Sequence, residues 1–240
     1  MRAVKKMLPA YVFSVLLLLF CAMFATQGVT ALSEAMSVWS PGDALTVVLD
    51  PGHGGEDGGA VSANVVRESD LNLSISLRTR DLLRFLGLPV VMTRETDVSI
   101  HSPEAGTISE KKISDLKNRV RIVSEIPNAV LVSVHQNMFA ESKYFGTQVF
   151  YADTDGSQRM AEELQALFAS ALEPANHRQA KLCENVYLLS KINCPGVLVE
   201  CGFLSNPREE ALLQTEAYQK KLAAVIAAGL AVEVQSGRAA

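Results

Sequence analysis

The 240-residue sequence has little positive charge, few cysteines and few aromatic residues. Its 22 Lys and Arg are outnumbered by 26 Asp and Glu, and no basic patch is visible, so nucleic acid is not an expected partner. The four cysteines show no paired spacing, which argues against a disulfide framework. Hydrophobic residues make up 48% of the chain and aromatic residues 6%, a composition typical of one packed α/β domain.

The long apolar run lies at the N-terminus, where residues 7–25 follow Arg2, Lys5 and Lys6. We expect the basic end to stay in the cytoplasm and the rest to cross the membrane. The run is long for a signal-peptide core and close to the minimum length for a spanning helix. Residues 1–25 are therefore a cleaved signal peptide or a membrane anchor, and the chain is expected to be exported, either secreted or membrane-anchored.

Beyond this segment, residues 26–44 are predicted to be a linker and residues 45–236 a single catalytic domain. Six short apolar runs predict strands, at 46–50, 89–93, 129–135, 146–152, 186–189 and 196–200. Most of these runs are continuous rather than alternating, which is typical of strands buried on both faces of a parallel sheet. Helical patterns separate them, at 70–86, 107–127, 158–172 and 206–232, with a break expected near Thr215. The fold class is α/β: one open, mostly parallel twisted sheet with helices on both faces.

Four residues lie at or near the ends of these elements: His53, Glu68, His135 and Glu200. In an open parallel sheet, ligand sites form outside the carboxyl ends of the strands. Glu68 precedes the first helix, which must return from that same edge. Two histidines and one carboxylate make a three-ligand zinc site with an open fourth position, and a second carboxylate can move protons. The pattern predicts a zinc hydrolase.

Several neighbouring polar residues have weaker predictions. Asp50 could orient His53 through a hydrogen bond, and Asn137 could orient a ligand or bind substrate. Asp57 is interpreted as a turn residue. Arg94 is expected to form a structural ion pair or to bind a loop carbonyl.

Five segments carry a specific resemblance, and they occur in one order along the chain. They are DPGHGGEDGGA (50–60), ESDLNL (68–73), MTRETD (92–97), SVHQN (133–137) and VECGFLSNP (199–207). Together they resemble the zinc-dependent N-acetylmuramoyl-L-alanine amidases of the Amidase_3 family, over about residues 46–232.

The resemblance implies a role for each of the four residues. His53, Glu68 and His135 match the family's ligands for one Zn²⁺ per chain, and Glu200 matches its catalytic glutamate. The implied reaction is hydrolysis of the amide between the lactyl group of N-acetylmuramic acid and L-alanine of the stem peptide in peptidoglycan.

Two further segments, 114–120 and 145–151, and the basic apolar start are similar to the spore-cortex branch of the family in endospore formers. In that branch, removal of stem peptides leads to muramic-δ-lactam in the cortex, which links the enzyme to sporulation and germination. The implied partners are peptidoglycan, a lipoprotein activator and, through the N-terminal segment, the membrane.

Two other functions fit the same metal site. One is a zinc-loaded scaffold that binds peptidoglycan without turnover, and the other is a zinc peptidase that cuts within the stem peptide. The released fragment separates the three: free muramyl lactyl ends, shortened peptides or nothing.

Overall fold

The computed structural model describes residues 45–235. The predicted signal peptide or anchor (1–25) and linker (26–44) lie outside the described residues, so the domain boundaries stay predictions. No helix within residues 45–235 is long and apolar enough to cross a membrane.

Six strands and five helices make up the described part of the chain. The strands are β1 (Thr46–Pro51), β2 (Val90–Met92), β3 (Ala129–Asn137), β4 (Gln148–Tyr151), β5 (Lys181–Leu182) and β6 (Gly196–Phe203). The helices are α1 (Glu68–Phe85), α2 (Ile108–Ser124), α3 (Ser157–Ala171), α4 (Pro207–Leu213) and α5 (Glu216–Gln235).

The strands form one sheet in the order β2-β1-β3-β6-β4-β5. Strands β2, β1, β3 and β6 are parallel, β4 runs antiparallel to β6, and β5 is parallel to β4. This arrangement confirms the predicted open, mostly parallel sheet of about six strands.

One predicted strand is wrong. Residues 186–189 are not a strand, since 187–190 form a turn, and the sixth strand is the two-residue β5 at the sheet edge. The 186–189 run is apolar because Leu188 and Leu189 are buried against one face of the sheet. Burial of a short run does not distinguish a strand from a packed turn.

Both faces of the sheet are covered. Helices α1, α3 and α5 pack on one face, against strand residues that include Val47, Val132 and Val199. Helix α2 and the turns that precede β6 pack on the other face, against Val48 and Leu131. Successive strand residues point to opposite faces, so burial of both faces produces the continuous apolar runs in the sequence.

Helix ends follow their sequence signals. Thr107 and Glu110 form a reciprocal capping box at the start of α2. The Asn206 side chain caps α4, with Pro207 as its first residue. The predicted break near Thr215 is confirmed, since α4 ends at Leu213 and α5 begins at Glu216.

Three of the four cysteines lie within the described residues. Cys201 is fully buried in the core on the α1 side. Cys183 and Cys194 are free thiols and half-buried.

Candidate metal centre

The carboxyl edge of the sheet brings the four predicted residues together. His53 lies in the turn after β1, and His135 lies near the end of β3. Glu200 on β6 is the direct neighbour of His135 in the parallel register of the two strands. Glu68 is the first residue of α1. The helix begins two residues earlier than predicted, which places this carboxylate at the sheet edge.

The donor atoms of three of these residues converge. Glu68 Oε1 lies 3.4 Å from His53 Nε2 and 2.8 Å from His135 Nδ1. One ligand atom from each residue lies within 4.8 Å of the other two. Tetrahedral zinc with bonds of about 2.0–2.2 Å separates its ligands by about 3.3 Å. The three donors therefore fit one ion after small side-chain adjustments.

The His53 ring is held by its own turn. Its backbone has φ 61°, a left-handed conformation that is uncommon outside glycine. Its Nδ1 is hydrogen-bonded to Asp57 Oδ2 at 3.0 Å, which turns Nε2 towards Glu68. Asp57, interpreted from the sequence as a turn residue, therefore orients this imidazole. The sequence signal was a carboxylate four residues after the histidine in a glycine-rich turn.

Asp50 does not make the contact with His53 that its position suggested. Its buried carboxylate accepts hydrogen bonds from Thr93 Oγ1 and Ser133 Oγ, both at 2.7 Å, and pairs with Arg119 Nη1 at 2.5 Å. Burial raises the pKa of Asp50, but the Arg119 charge and the two hydroxyl bonds outweigh burial and lower it to about 2. Asp50 reaches the turn only through Arg119, whose Nη2 donates to the His53 carbonyl at 2.7 Å.

A second buried guanidinium ties the two halves of the site together. Arg94 is 3% exposed, and its Nη2 donates to Gly52 O at 3.0 Å and to Ser69 O at 2.9 Å. One side chain thus links the residue before His53 to the residue after Glu68. The carbonyl alternative in the prediction for Arg94 is confirmed.

Asn72 has a similar role, which the sequence analysis missed. Its fully buried amide Nδ2 donates to Gly52 O at 3.2 Å and to Glu68 Oε1 at 3.3 Å. The available signal was a polar residue one helical turn after Glu68, on the face that α1 buries. Asn137 ends β3 two residues beyond His135, and its role as a ligand-orienting or substrate-binding residue stays a prediction.

Two glycines leave room for the ligands. A Cβ on Gly52 would lie 2.2 Å from His135 Nε2, so the imidazole packs directly on the glycine backbone. A Cβ on Gly59, which has φ +68°, would lie 2.5 Å from Glu68 Oε2. Only glycine allows both close approaches without displacing a ligand.

The pKa values of Glu68 and His53 reflect their contacts within the cluster. Burial opposes ionisation of Glu68, but hydrogen bonds from His135 and His53 hold its pKa well below the usual range. Burial lowers the pKa of His53, whereas its bonds to Asp57 and Glu68 raise it to about 9 overall. The cluster therefore stabilises positive charge at the position where the three donors meet.

Glu200 differs from the other carboxylates of the site. Its Oε2 is buried and accepts no hydrogen bond from any described residue. Burial raises the pKa of Glu200 to about 7, despite the opposing effect of His135. A carboxyl group with a pKa near neutrality can both accept and release a proton at physiological pH.

Comparison with known proteins gives the same family from sequence and from structure. The Amidase_3 model, described as N-acetylmuramoyl-L-alanine amidase, matches residues 47–232. The germination-specific N-acetylmuramoyl-L-alanine amidase of Bacillus subtilis (strain 168) is 35% identical over 220 residues, which cover 91% of this chain and 90% of the relative. The N-acetylmuramoyl-L-alanine amidase AmiA of Escherichia coli (strain K12) is 28% identical and covers 79% of this chain and 76% of its own length.

Solved structures are similar over most of the described residues. The CwlD amidase from Clostridioides difficile, in complex with the GerS lipoprotein, has a TM-score of 0.77 and 38% identity. The match covers 80% of this chain and 99% of that chain. A second amidase, from Clostridium difficile 630, has a TM-score of 0.68 and 32% identity, and the match covers 81% of this chain and 98% of that chain.

Proposed function

The chain belongs to the Amidase_3 family, and we propose that it is a zinc-dependent enzyme that hydrolyses the amide between N-acetylmuramic acid and L-alanine in peptidoglycan. The observation that carries the proposal is the convergence of His53 Nε2, Glu68 Oε1 and His135 Nδ1 beside the buried carboxyl group of Glu200. Two imidazoles and one carboxylate with an open side are the donor set of hydrolytic zinc sites.

The ligand set itself is part of the proposal. His53, Glu68 and His135 would hold the ion, and Asp57 would keep Nε2 of His53 directed at it. When bound, zinc supplies Lewis acidity, which polarises a carbonyl oxygen and lowers the pKa of a water molecule towards ~7.

Glu200 is the residue we assign to proton transfer. Its Oε2 has no hydrogen-bond donor among the described residues, so no protein group competes with the substrate water for this oxygen. The carboxylate accepts a proton from that water as the water oxygen bonds to the lactyl carbonyl carbon. When the C–N bond breaks, the same carboxyl group gives a proton to the departing amine of L-alanine.

We propose that the enzyme acts in formation of the spore cortex, outside the cytoplasm. The germination-specific relative and the CwlD amidase support this role, because the match to this chain covers 90% of the first protein and 99% of the second. A lipoprotein partner, as in the CwlD complex, is part of the same proposal. Export through residues 1–25, as a signal peptide or an anchor, also remains a proposal.

Digestion of peptidoglycan by the purified full-length chain, with and without added zinc, tests the reaction. Mass spectrometry of the products is expected to show glycan strands that lack stem peptides, together with intact peptides that begin with L-alanine. Shortened peptides still attached to glycan would identify a stem-peptide peptidase instead. Bound zinc without any released fragment would identify a binding scaffold or an enzyme that requires its partner.

A further inference from the structure

A pocket with a positively charged lining lies beside the carboxyl ends of β3 and β6. It has a volume of about 260 Å³ and is lined mainly by Lys143, Tyr144, Phe145, Asn176, His177 and Arg178. None of its lining residues is acidic, although the chain as a whole carries a net charge of −4. The lining therefore favours an anionic ligand.

Arg178 is held in place within this pocket. Its Nε donates to the Phe145 carbonyl at 3.0 Å, and its guanidinium carbon lies 4.8 Å from the centre of the Phe203 ring. The terminal Nη1 and Nη2 groups make no hydrogen bond to any described residue. A guanidinium fixed by a stacked ring and an Nε bond presents two parallel donors, the geometry that matches a carboxylate.

The wall around Arg178 is anchored to the strand that carries Glu200. Glu209 is buried and accepts hydrogen bonds from Gly146 N and Phe203 N, both at 2.8 Å. The ring of Phe139 lies 5.2 Å from that of Phe203 and 5.2 Å from that of Tyr144. These contacts join the 138–146 segment to the end of β6.

The pocket lies along β6 from Glu200, on the strand that carries the proposed proton acceptor. Phe203 lies three residues beyond Glu200 on β6, a distance of about 10 Å at ~3.3 Å per strand residue. An extended peptide covers about 3.5 Å per residue, so the residue after L-alanine reaches roughly 7 Å from the scissile amide. In peptidoglycan this second residue is acidic. Its carboxylate extends beyond the peptide backbone, so a stem peptide that runs along β6 brings this group to the Phe203 end of the pocket.

We propose that this pocket binds the free carboxylate of the second stem-peptide residue, with Arg178 as the principal contact. The inference rests on the proposed amidase function and assigns the leaving-group side of the same site. Lys143 also lines the pocket, with its Nζ paired to Glu141 Oε2 at 2.5 Å, so Arg178 is the cation available to a ligand. The pocket thereby selects acidic stem peptides over those in which this carboxyl group is amidated.

Two muramyl peptides test the proposal. They differ only in the α-carboxyl group of the second residue, which is free in one and amidated in the other. The wild-type chain is expected to show a KM about 10- to 100-fold lower for the free acid, as one charge-assisted bidentate contact predicts. Arg178→Gln should lose this preference while its zinc content stays unchanged. Arg178→Lys should keep part of it. Arg121→Gln, on the surface of α2, is the matched control and should keep all of it.

A preference that persists in Arg178→Gln would overturn the proposal, and so would an equal loss of kcat for both peptides, because that result indicates a structural role. Melting temperatures of all variants identify any that fail to fold. If the wild-type chain cleaves neither peptide, either the proposed amidase function fails or the enzyme requires its lipoprotein partner. Calorimetry then tests carboxylate binding by the pocket separately, with the two released peptides added to wild-type and Arg178→Gln protein. Tighter binding of the free acid that depends on Arg178 supports the proposal. Equal binding of the two peptides to the wild-type chain overturns it.

Discussion

His135 and Glu200 are paired neighbours on the parallel strands β3 and β6. The sheet register therefore fixes the spacing between a proposed metal ligand and the proposed proton acceptor. Their strands are central in the sheet and buried on both faces, so neither residue depends on a loop for its position. The two remaining ligands come from the turn after β1 and from the start of α1.

The first prediction concerns Glu200→Gln. The amide cannot accept the proton of the attacking water, so kcat should fall by about 10²- to 10⁴-fold. Zinc content and melting temperature should match the wild type, because Glu200 is not assigned as a ligand. Steady-state kinetics and metal analysis check both results, with the exposed Glu125→Gln as the control. Normal turnover by metal-replete Glu200→Gln protein would remove Glu200 from the mechanism.

Substitution of Gly52 tests the position of His135. The added methyl group of Gly52→Ala would lie 2.2 Å from the imidazole, so the ring must move out of the ligand cluster. We expect zinc affinity to fall by at least ~10-fold, as losses of ligand geometry do, measured by chelator competition. Gly106→Ala is the control, since its nearest neighbour, a flexible Glu110 oxygen, is 3.6 Å away. Unchanged zinc affinity in Gly52→Ala would contradict the assignment of His135.

The pH dependence of zinc binding follows from His53. In the metal-free protein its pKa is about 9, against 6.5 for a free imidazole, so at pH 7 zinc must displace a proton. The stability that this proton gives to the metal-free fold is fully present below pH 6.5 and is lost as pH rises through 9. Apparent zinc affinity should therefore rise about tenfold per pH unit up to pH 9. Chelator competition at several pH values checks this slope, and an affinity independent of pH would contradict it.

Acid stability should depend on the buried pair Asp50–Arg119. The pKa of Asp50 is lowered from 3.8 to about 2, so its contribution is present above pH 3.8 and is lost as pH falls towards 2. Asp50→Asn leaves Arg119 with only Asp115 as a buried acidic partner and should cost about 3 kcal/mol of unfolding free energy at pH 7. Urea unfolding at pH 7 and at pH 3 measures both effects. A variant as stable as the wild type at pH 7 would contradict this account of the pair.

The sheet could be predicted because each central strand is buried on both faces, which leaves a continuous apolar run in the sequence. The same signal produced the wrong strand at 186–189, where the apolar residues pack as turns against the sheet. The true edge strand, Lys181–Leu182, is exposed and only two residues long, so it has no apolar pattern. The continuous apolar runs therefore identified buried segments more reliably than they identified strands.

The candidate site could be predicted to the level of its four main residues, because strand ends and motif order specify them. The contacts that hold these four residues in place could not be predicted as well from the sequence. Asp50 precedes His53 by three residues, but strand alternation turns its carboxylate towards Arg119, and Asp57 takes the contact instead. Arg94 and Asn72 act through backbone carbonyls distant in sequence, a relationship that only the folded chain establishes.

Zinc-dependent hydrolysis is tested directly by a zinc titration of the metal-free full-length chain, with cleavage of a soluble muramyl peptide measured at each step. We expect release of the L-alanyl peptide to rise in proportion to bound zinc and to reach its maximum at about one ion per chain. Cleavage that is complete before zinc is added, or a product cut within the stem peptide, would contradict this expectation.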